Sequence, residues 1–212
     1  MHTWMKFSYL GIMIDQLRYS TCLFLLLISL NLTGQDNIFF QHFALNEGLS
    51  QNSITAIAQD GHGYIWLGTN DGLNKYDGYD FTIYRSNASD PEALRNDAIF
   101  CLFVDSRDDL WIGTRGGGLH RYDNRMDRFV YYDLNLTFNV IRCIAEDSMD
   151  NLWIGTNSGL FLLNRETGTY IRFDHSNLDP FSLAQNMVNA IAEDISGNLW
   201  IGTPEYGLEQ FN

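Results

Sequence analysis

The sequence predicts an all-β fold of propeller blades, four antiparallel four-stranded repeats forming a partial propeller. Three observations carry this. Trp66, Trp111, Trp153 and Trp200 each open the same phrase, Trp-Leu/Ile-Gly-Thr, at intervals of 45, 42 and 47 residues. Units repeating at such a period cannot bury their apolar faces alone and must stack. Each unit also holds four short runs rich in Ile, Val, Phe, Tyr and Trp, separated by turn residues, which is the composition of strands. No window shows a 3.6-residue period, so helix should be nearly absent.

The first run of each unit, strand A, reads Ile54-Thr-Ala-Ile57, Ile99-Phe-Cys-Leu102, Ile141-Arg-Cys-Ile144 and Val188-Asn-Ala-Ile191. In the second unit it is apolar on both faces through Val104, the pattern of a strand covered on both sides. Strand A should therefore lie at the crowded inner position of each blade. A short turn follows, preceded by Asp60, Asp105, Asp147 or Asp194, six residues before the tryptophan. An aspartate there reads as a turn cap, since its short carboxylate bonds the backbone two residues on. Strand B carries the tryptophan and, two residues later, Gly68, Gly113, Gly155 or Gly202. Strand C begins at Gly72-Leu73, Gly118-Leu119, Gly159-Leu160 and Gly207-Leu208, the glycine supplying a tight turn. Strand D is Phe81–Tyr84, Phe129–Tyr132 and Tyr170–Phe173. The aromatic stretch Phe40–Phe43 reads as an orphan outer strand, so that the order is D, three times ABCD, then ABC.

The combined pattern, Ile-x-x-Ile-x-x-Asp-x-x-Gly-x-Leu-Trp-Ile-Gly-Thr-x-x-Gly-Leu-x-x-Tyr-Asp, closely resembles the two-component regulator propeller repeat. Ile54–Asp77 fits it almost letter for letter, and the third unit departs at Leu163-Asn164. The resemblance covers Phe39–Asn212, with Phe40-Gln-His-Phe43 and Glu47-Gly-Leu-Ser-Gln-Asn52 similar to the opening of the family. It implies a periplasmic sensor region of a hybrid two-component histidine kinase, many of which sense polysaccharide fragments. It also implies downstream signalling domains in a longer parent, anchored in the inner membrane, and dimerisation of that parent. Orphan strand D leaves two readings of the array open. It can close a four-blade ring, or these units can be the truncated N-terminal part of a larger array, which the resemblance favours.

Residues 1–34 read as a signal peptide. Lys6 and Arg18 precede the apolar run Cys22–Leu30, and small residues around Gly34 suit cleavage near Gly34–Gln35. The run is too short for the roughly 20 residues of a membrane helix. Residues 35–212 are then the exported repeats. Without Lys6, Arg18 and Asp15, 11 basic and 25 acidic residues remain, a net charge of −14. Such a surface repels phosphate, so no nucleic-acid partner is expected. Cys101 and Cys143 share the strand A slot held elsewhere by Ala56 and Ala190, which reads as a small buried side chain.

No cofactor and no metal site is expected. Arg115-Gly-Gly-Gly118 lacks the Lys-Ser/Thr of a phosphate loop, so its glycines belong to the B–C turn. Asp105-x-x-Asp108-Asp109 lacks the closing glutamate of a calcium loop. No catalytic residue is assigned. The irregular parts are the D-to-A connections, two of which share Asp-Pro-x-x-Leu: Ser86–Leu94 and Ser176–Leu183. These sequences read either as self-packed turns with Leu94 and Leu183 plugging the blade edge, or as ligand loops on a rigid scaffold. On the second reading the candidate ligand-binding residues are Arg85, Asn87, Arg95, Asn96, Asn177 and Gln185. The leading expectation is a non-catalytic sensor of glycan-derived ligands. A propeller lyase or hydrolase, and a purely structural scaffold, are the alternatives.

Overall fold

The computed structural model describes residues 39–136 and 138–211, and the expected signal peptide lies outside the described residues. Two units are separated after His42; of the first, only Phe39–His42 are described, and they carry no regular secondary structure. The second unit opens on a single 3-10 turn, Leu45–Glu47, and continues as strands. Among the described residues, fifteen strands form four antiparallel sheets. Blade 1 is β1 (Ile54–Gln59), β2 (Ile65–Thr69), β3 (Gly72–Tyr76) and β4 (Phe81–Tyr84). Blade 2 is β5 (Ile99–Val104), β6 (Leu110–Thr114), β7 (Leu119–Asp123) and β8 (Arg128–Tyr132). Blade 3 is β9 (Ile141–Glu146), β10 (Leu152–Thr156), β11 (Gly159–Leu163) and β12 (Tyr170–Phe173). Blade 4 has three strands, β13 (Ala190–Glu193), β14 (Leu199–Thr203) and β15 (Gly207–Phe211). In each sheet the strands pair in sequence order.

Two expectations are corrected. Phe40–Phe43 is not a strand. An aromatic run becomes one only with a ladder partner, and Phe43 instead packs its ring on Tyr76 and Phe81, at 5.1 and 5.8 Å between centroids. Strand A does take the inner position, with β1, β5, β9 and β13 lying side by side, but it is not the sealed strand. It is mostly half-buried or exposed, whereas strand B is buried along its whole length in β6 and β10. An inner strand has a hydrogen-bonded neighbour on one edge only, while strand B is flanked on both.

The core sits between blades. Trp66 packs with Ile99, Leu110 and Ile112 of blade 2; Trp111 with Ile141, Leu152 and Ile154 of blade 3; Trp153 with Val188, Leu199 and Ile201 of blade 4. Trp200 is only half-buried. Burying an indole removes about 150–250 Å² from water, which at about 25 cal/mol per Å² is an upper estimate of about 4–6 kcal/mol per seat.

The aspartate six residues upstream aims each tryptophan. Asp105 accepts the Arg107 and Asp109 backbone N–H groups on Oδ1 (3.0 and 2.9 Å) and the Trp111 indole N–H on Oδ2 (2.8 Å). Asp60, Asp147 and Asp194 repeat this at 2.7–3.0 Å, holding Trp66, Trp153 and Trp200. One carboxylate thus closes the A–B turn and satisfies the indole donor that burial would strand. In Asp105 the clamp is also an inter-blade bond, because the buried Arg165 of blade 3 donates to Oδ2 at 2.7 Å and to Glu146 at 2.5 Å. The serines that follow latch adjacent blades: Ser106 donates to Glu146 through N–H and O–H (2.6 and 2.9 Å), and Ser148 to Glu193 (both 2.7 Å).

The glycine of the Trp-Ile-Gly-Thr phrase sets how closely blades approach. A Cβ on Gly68 would lie 2.7 Å from Ile99, on Gly113 2.7 Å from Ile141 and 2.4 Å from Cys101, and on Gly155 2.8 Å from Val188 and 2.4 Å from Cys143. Each contacted residue, Ile99, Ile141 or Val188, opens the next blade and is fully buried. Cys101 and Cys143 are free thiols beside the same notch, their ionisation pushed up by burial, to about 12 for Cys143. At Gly202 a Cβ would meet only Ala190 of its own blade, at 3.4 Å. Gly113→Ala should therefore destabilise by about 1–3 kcal/mol through overpacking, while Gly202→Ala should leave chemical denaturation nearly unchanged. Equal effects at the two sites would contradict the notch.

Candidate ligand-binding face

The D-to-A connections, the B–C turns and the starts of the inner strands lie together at one end of the blades. Backbone bonds tie them: Gly72 N–H to Asp97 O (2.9 Å), Arg115 N–H to Ala98 O (2.8 Å), Gly118 N–H to Asn139 O (3.0 Å) and Gly159 N–H to Asn186 O (2.7 Å). The B–C turns of blades 1, 2 and 3 are thus stitched to the connection entering the next blade, and that of blade 2 also to the connection entering its own.

The two Asp-Pro loops are internally bonded turns. Asp90 Oδ1 accepts the Glu92 N–H (2.9 Å) and Asp179 Oδ1 the Phe181 N–H (2.9 Å), as short acidic side chains do in turns. Leu94 and Leu183 are buried beneath them. The N–H that follows Leu94, Leu183 and the likewise buried Leu49 ahead of blade 1 is caught by a side chain on strand C: Arg95 by His120 (3.3 Å), Ala184 by Glu209 (2.9 Å) and Ser50 by Asn74 (2.8 Å).

The six candidate residues divide between the loops. Arg85 pairs with Asp71 at 2.9 Å. Asn87 accepts the Ser89 N–H (3.0 Å) and lines a cleft of about 390 Å³ with Pro91, Leu94 and Arg95. The Arg95 guanidinium carbon lies over Tyr131, 3.4 Å from the ring centre, a favourable cation–π seat. Asn96 accepts the Ala98 N–H (2.9 Å), and its loop approaches so closely that a Cβ on Gly117 would lie 2.8 Å from the Asn96 nitrogen. On the second loop, Asn177 Oδ1 meets His175 Nε2 at 3.0 Å, and the buried Gln185 Oε1 has no partner among the described residues. The structure therefore brings Arg95, Asn96 and Asn87 together, and places Asn177 and Gln185 elsewhere.

Sequence reasoning missed the inner rim. At the second residue of strand A the pairing slips: Ile54 faces Thr69 but Ala56 faces Gly68, Ile99 faces Thr114 but Cys101 faces Gly113, and Ile141 faces Thr156 but Cys143 faces Gly155. Thr55, Phe100 and Arg142 are thus bulge residues, and Asn189 holds the corresponding position in blade 4. Bulges re-aim side chains and recur beside functional sites. A signal was present in the sequence, because this position differs in all four repeats while its neighbours stay small or apolar.

The opposite end of the blades carries a larger cleft, about 570 Å³, lined by His62, Arg107, Asp109, Arg121 and Arg125 among others. Its charges are largely self-compensated, with Arg121 on Asp109 (3.1 Å), Arg107 on Glu166 (2.6 Å) and His62 near Asp108 (3.5 Å).

A β-propeller array of one repeated unit is the class of protein this geometry defines. Four segments, 48–71, 93–116, 135–158 and 182–205, match the two-component regulator propeller, and the four repeats belong to that family. Histidine kinase P4 of Formosa agariphila is 44% identical over 68 residues, 32% of this chain and 5% of that protein. The extracellular domain of a protein named as a hybrid two-component system from B. thetaiotaomicron superposes with a TM-score of 0.71 at 26% identity, over 81% of this chain and 25% of that one. Virginiamycin B lyase from Staphylococcus aureus has a TM-score of 0.57 at 16% identity, over 77% of this chain and 57% of that one, and shares the fold alone. The chain thus spans a small part of the histidine kinase and a quarter of the extracellular domain. No helix among the described residues is long and apolar enough to cross a membrane.

His120 is fully buried, and burial, with the Arg95 charge beside it, pushes its pKa from the usual 6.5 to about 4. The unfolded chain then binds a proton first as pH falls through 6.5, and the folded chain only near 4. Stability should fall over that window by up to about 1.4 kcal/mol per pH unit. His120→Asn, which installs the residue blade 1 uses at Asn74, should flatten the change in thermal midpoint between pH 6.5 and 4.5. An unaltered slope would assign it to other groups.

Proposed function

We propose that this chain is a non-catalytic, extracytoplasmic ligand-binding region of a two-component signal transduction protein, sensing glycan-derived ligands. The observation that carries the reading is the superposition on an extracellular domain of a protein named as a two-component system, supported by the sequence match to a histidine kinase. The architecture suits the role. Rigid, mutually latched blades present one end built of loops and turns, and binding concentrates on loops held by a rigid scaffold. The chain is exported by its N-terminal segment, works within a longer parent anchored in the inner membrane, and passes ligand occupancy to downstream signalling domains, with dimerisation of the parent as the relay.

The test is differential scanning fluorimetry of the chain against digests of soluble plant, algal and host polysaccharides, with product analysis of the same mixtures. Sensing predicts a raised melting temperature with at least one digest and unchanged saccharide composition, since a ligand that binds only the folded state stabilises it. New unsaturated or shortened products would convert the reading to that of a propeller lyase or hydrolase. No shift with any digest would favour a structural scaffold.

A further inference from the structure

The inner rim of the loop face holds an uncompensated cationic cluster. The Arg142 guanidinium lies 5.3 Å from the centre of the Phe100 ring, and that of Arg115, from the B–C turn of blade 2, lies 5.1 Å from the same ring. Arg142 is oriented from blades 3 and 4, donating through Nη1 to Asn157 Oδ1 (2.9 Å) and through Nε to Asn189 Oδ1 (2.5 Å). These two bonds use neutral acceptors and leave part of its donor fork open. Arg115 makes no side-chain hydrogen bond, and neither arginine forms an ion pair among the described residues.

Among the ten described arginines, Arg115 and Arg142 share the lack of a carboxylate partner with Arg125 and with Arg95, which rests singly on Tyr131, whereas the other six are paired. Arg85, Arg107, Arg121, Arg128, Arg165 and Arg172 all have carboxylate partners, as expected where 26 acidic residues face 13 basic ones. Two guanidiniums are instead gathered on one aromatic ring, at a bulge, with a supporting pair of asparagines and no carboxylate. Two guanidiniums within about 5 Å of one ring centre and without a carboxylate leave positive charge that a bound anion would offset while filling the open donors. Guanidinium forks match carboxylate and sulfate oxygens.

We propose that Arg142 and Arg115, arranged on Phe100, form a subsite for the anionic group of an acidic oligosaccharide. The anion follows from the geometry; the saccharide rests on the sensing function proposed above. Asn157 and Asn189 are positioning residues that fix the Arg142 fork. Carboxylate and sulfate share this chemistry, so the ligand series must separate them.

The test is calorimetry on the full chain with three probes: oligogalacturonides, their fully methyl-esterified counterparts, and sulfated galactan oligosaccharides beside desulfated controls. The expected result is binding of a charged series, with the neutral counterpart weaker by about tenfold or more. Added salt should weaken the charged series alone. Arg142→Gln and Arg115→Gln should each cost about tenfold. Arg115 has no hydrogen-bond or ion-pair partner among the described residues and only its contact with Phe100 to lose, so its variant should stay within about 4 °C of the wild-type melting temperature and serves as the folding control. Binding by oligogalacturonides only would identify carboxylate as the recognised group, and by sulfated oligosaccharides only, sulfate. Neutral sugars binding as tightly as charged ones, or full affinity in both arginine variants, would overturn the subsite and leave the sensing function standing. Absence of heat from every charged and neutral saccharide would count against both.

Discussion

Each repeat tryptophan is pinned at its indole nitrogen by an aspartate, and Trp66, Trp111 and Trp153 are covered on their faces by the following blade. The rest of the fold depends on that seat. The carboxylate is shared between the A–B turn and the indole, so the hairpin and the packing surface form as one unit. The glycine two residues on lets the next inner strand approach until its first β-branched residue fills the space a side chain would occupy. Ser–Glu bonds and the Arg165 bridge then latch the turn end of the blades. Stability in such an array is a sum of units and nearest-neighbour interfaces, and here the interface holds the apolar core.

Much of this was legible from residue spacing, because the clamp lies within one hairpin. Six residues between Asp105 and Trp111 are enough to infer a capped turn, and the Gly-Leu turn and blade count follow from the same local arithmetic. Features that need a second strand were not legible. Phe40–Phe43 has a strand's composition but no ladder. Strand A looks sealed by its apolar run, yet its exposure is decided by which edge is paired. The bulges at Phe100 and Arg142 belong to the register between strands A and B; the variability of that one position in strand A marks it as exceptional without revealing the bulge. His120 was likewise hidden, since its role as acceptor for the Arg95 N–H appears only when a loop from one blade meets strand C of the next.

The two ends of the blades divide the electrostatics. At the turn end, cations and carboxylates neutralise one another and tie blades together. At the loop end, the candidate residues of the two Asp-Pro loops are mostly spent on holding turns, as Asn87 and Asn96 are, while the inner rim keeps cations with open donors. A sensor needs both properties: a scaffold that does not yield, and an end whose groups are satisfied only when something binds.

The most direct test of the inter-blade seat is hydrogen exchange at the indole nitrogens, resolved by NMR on tryptophan-labelled protein. All four repeat indoles donate to an aspartate, so the hydrogen bond alone would protect them alike. If coverage by the next blade is what holds the structure, Trp66, Trp111 and Trp153 should exchange slowly and the half-buried Trp200 much faster, through local opening. Uniform exchange across all four would contradict the account.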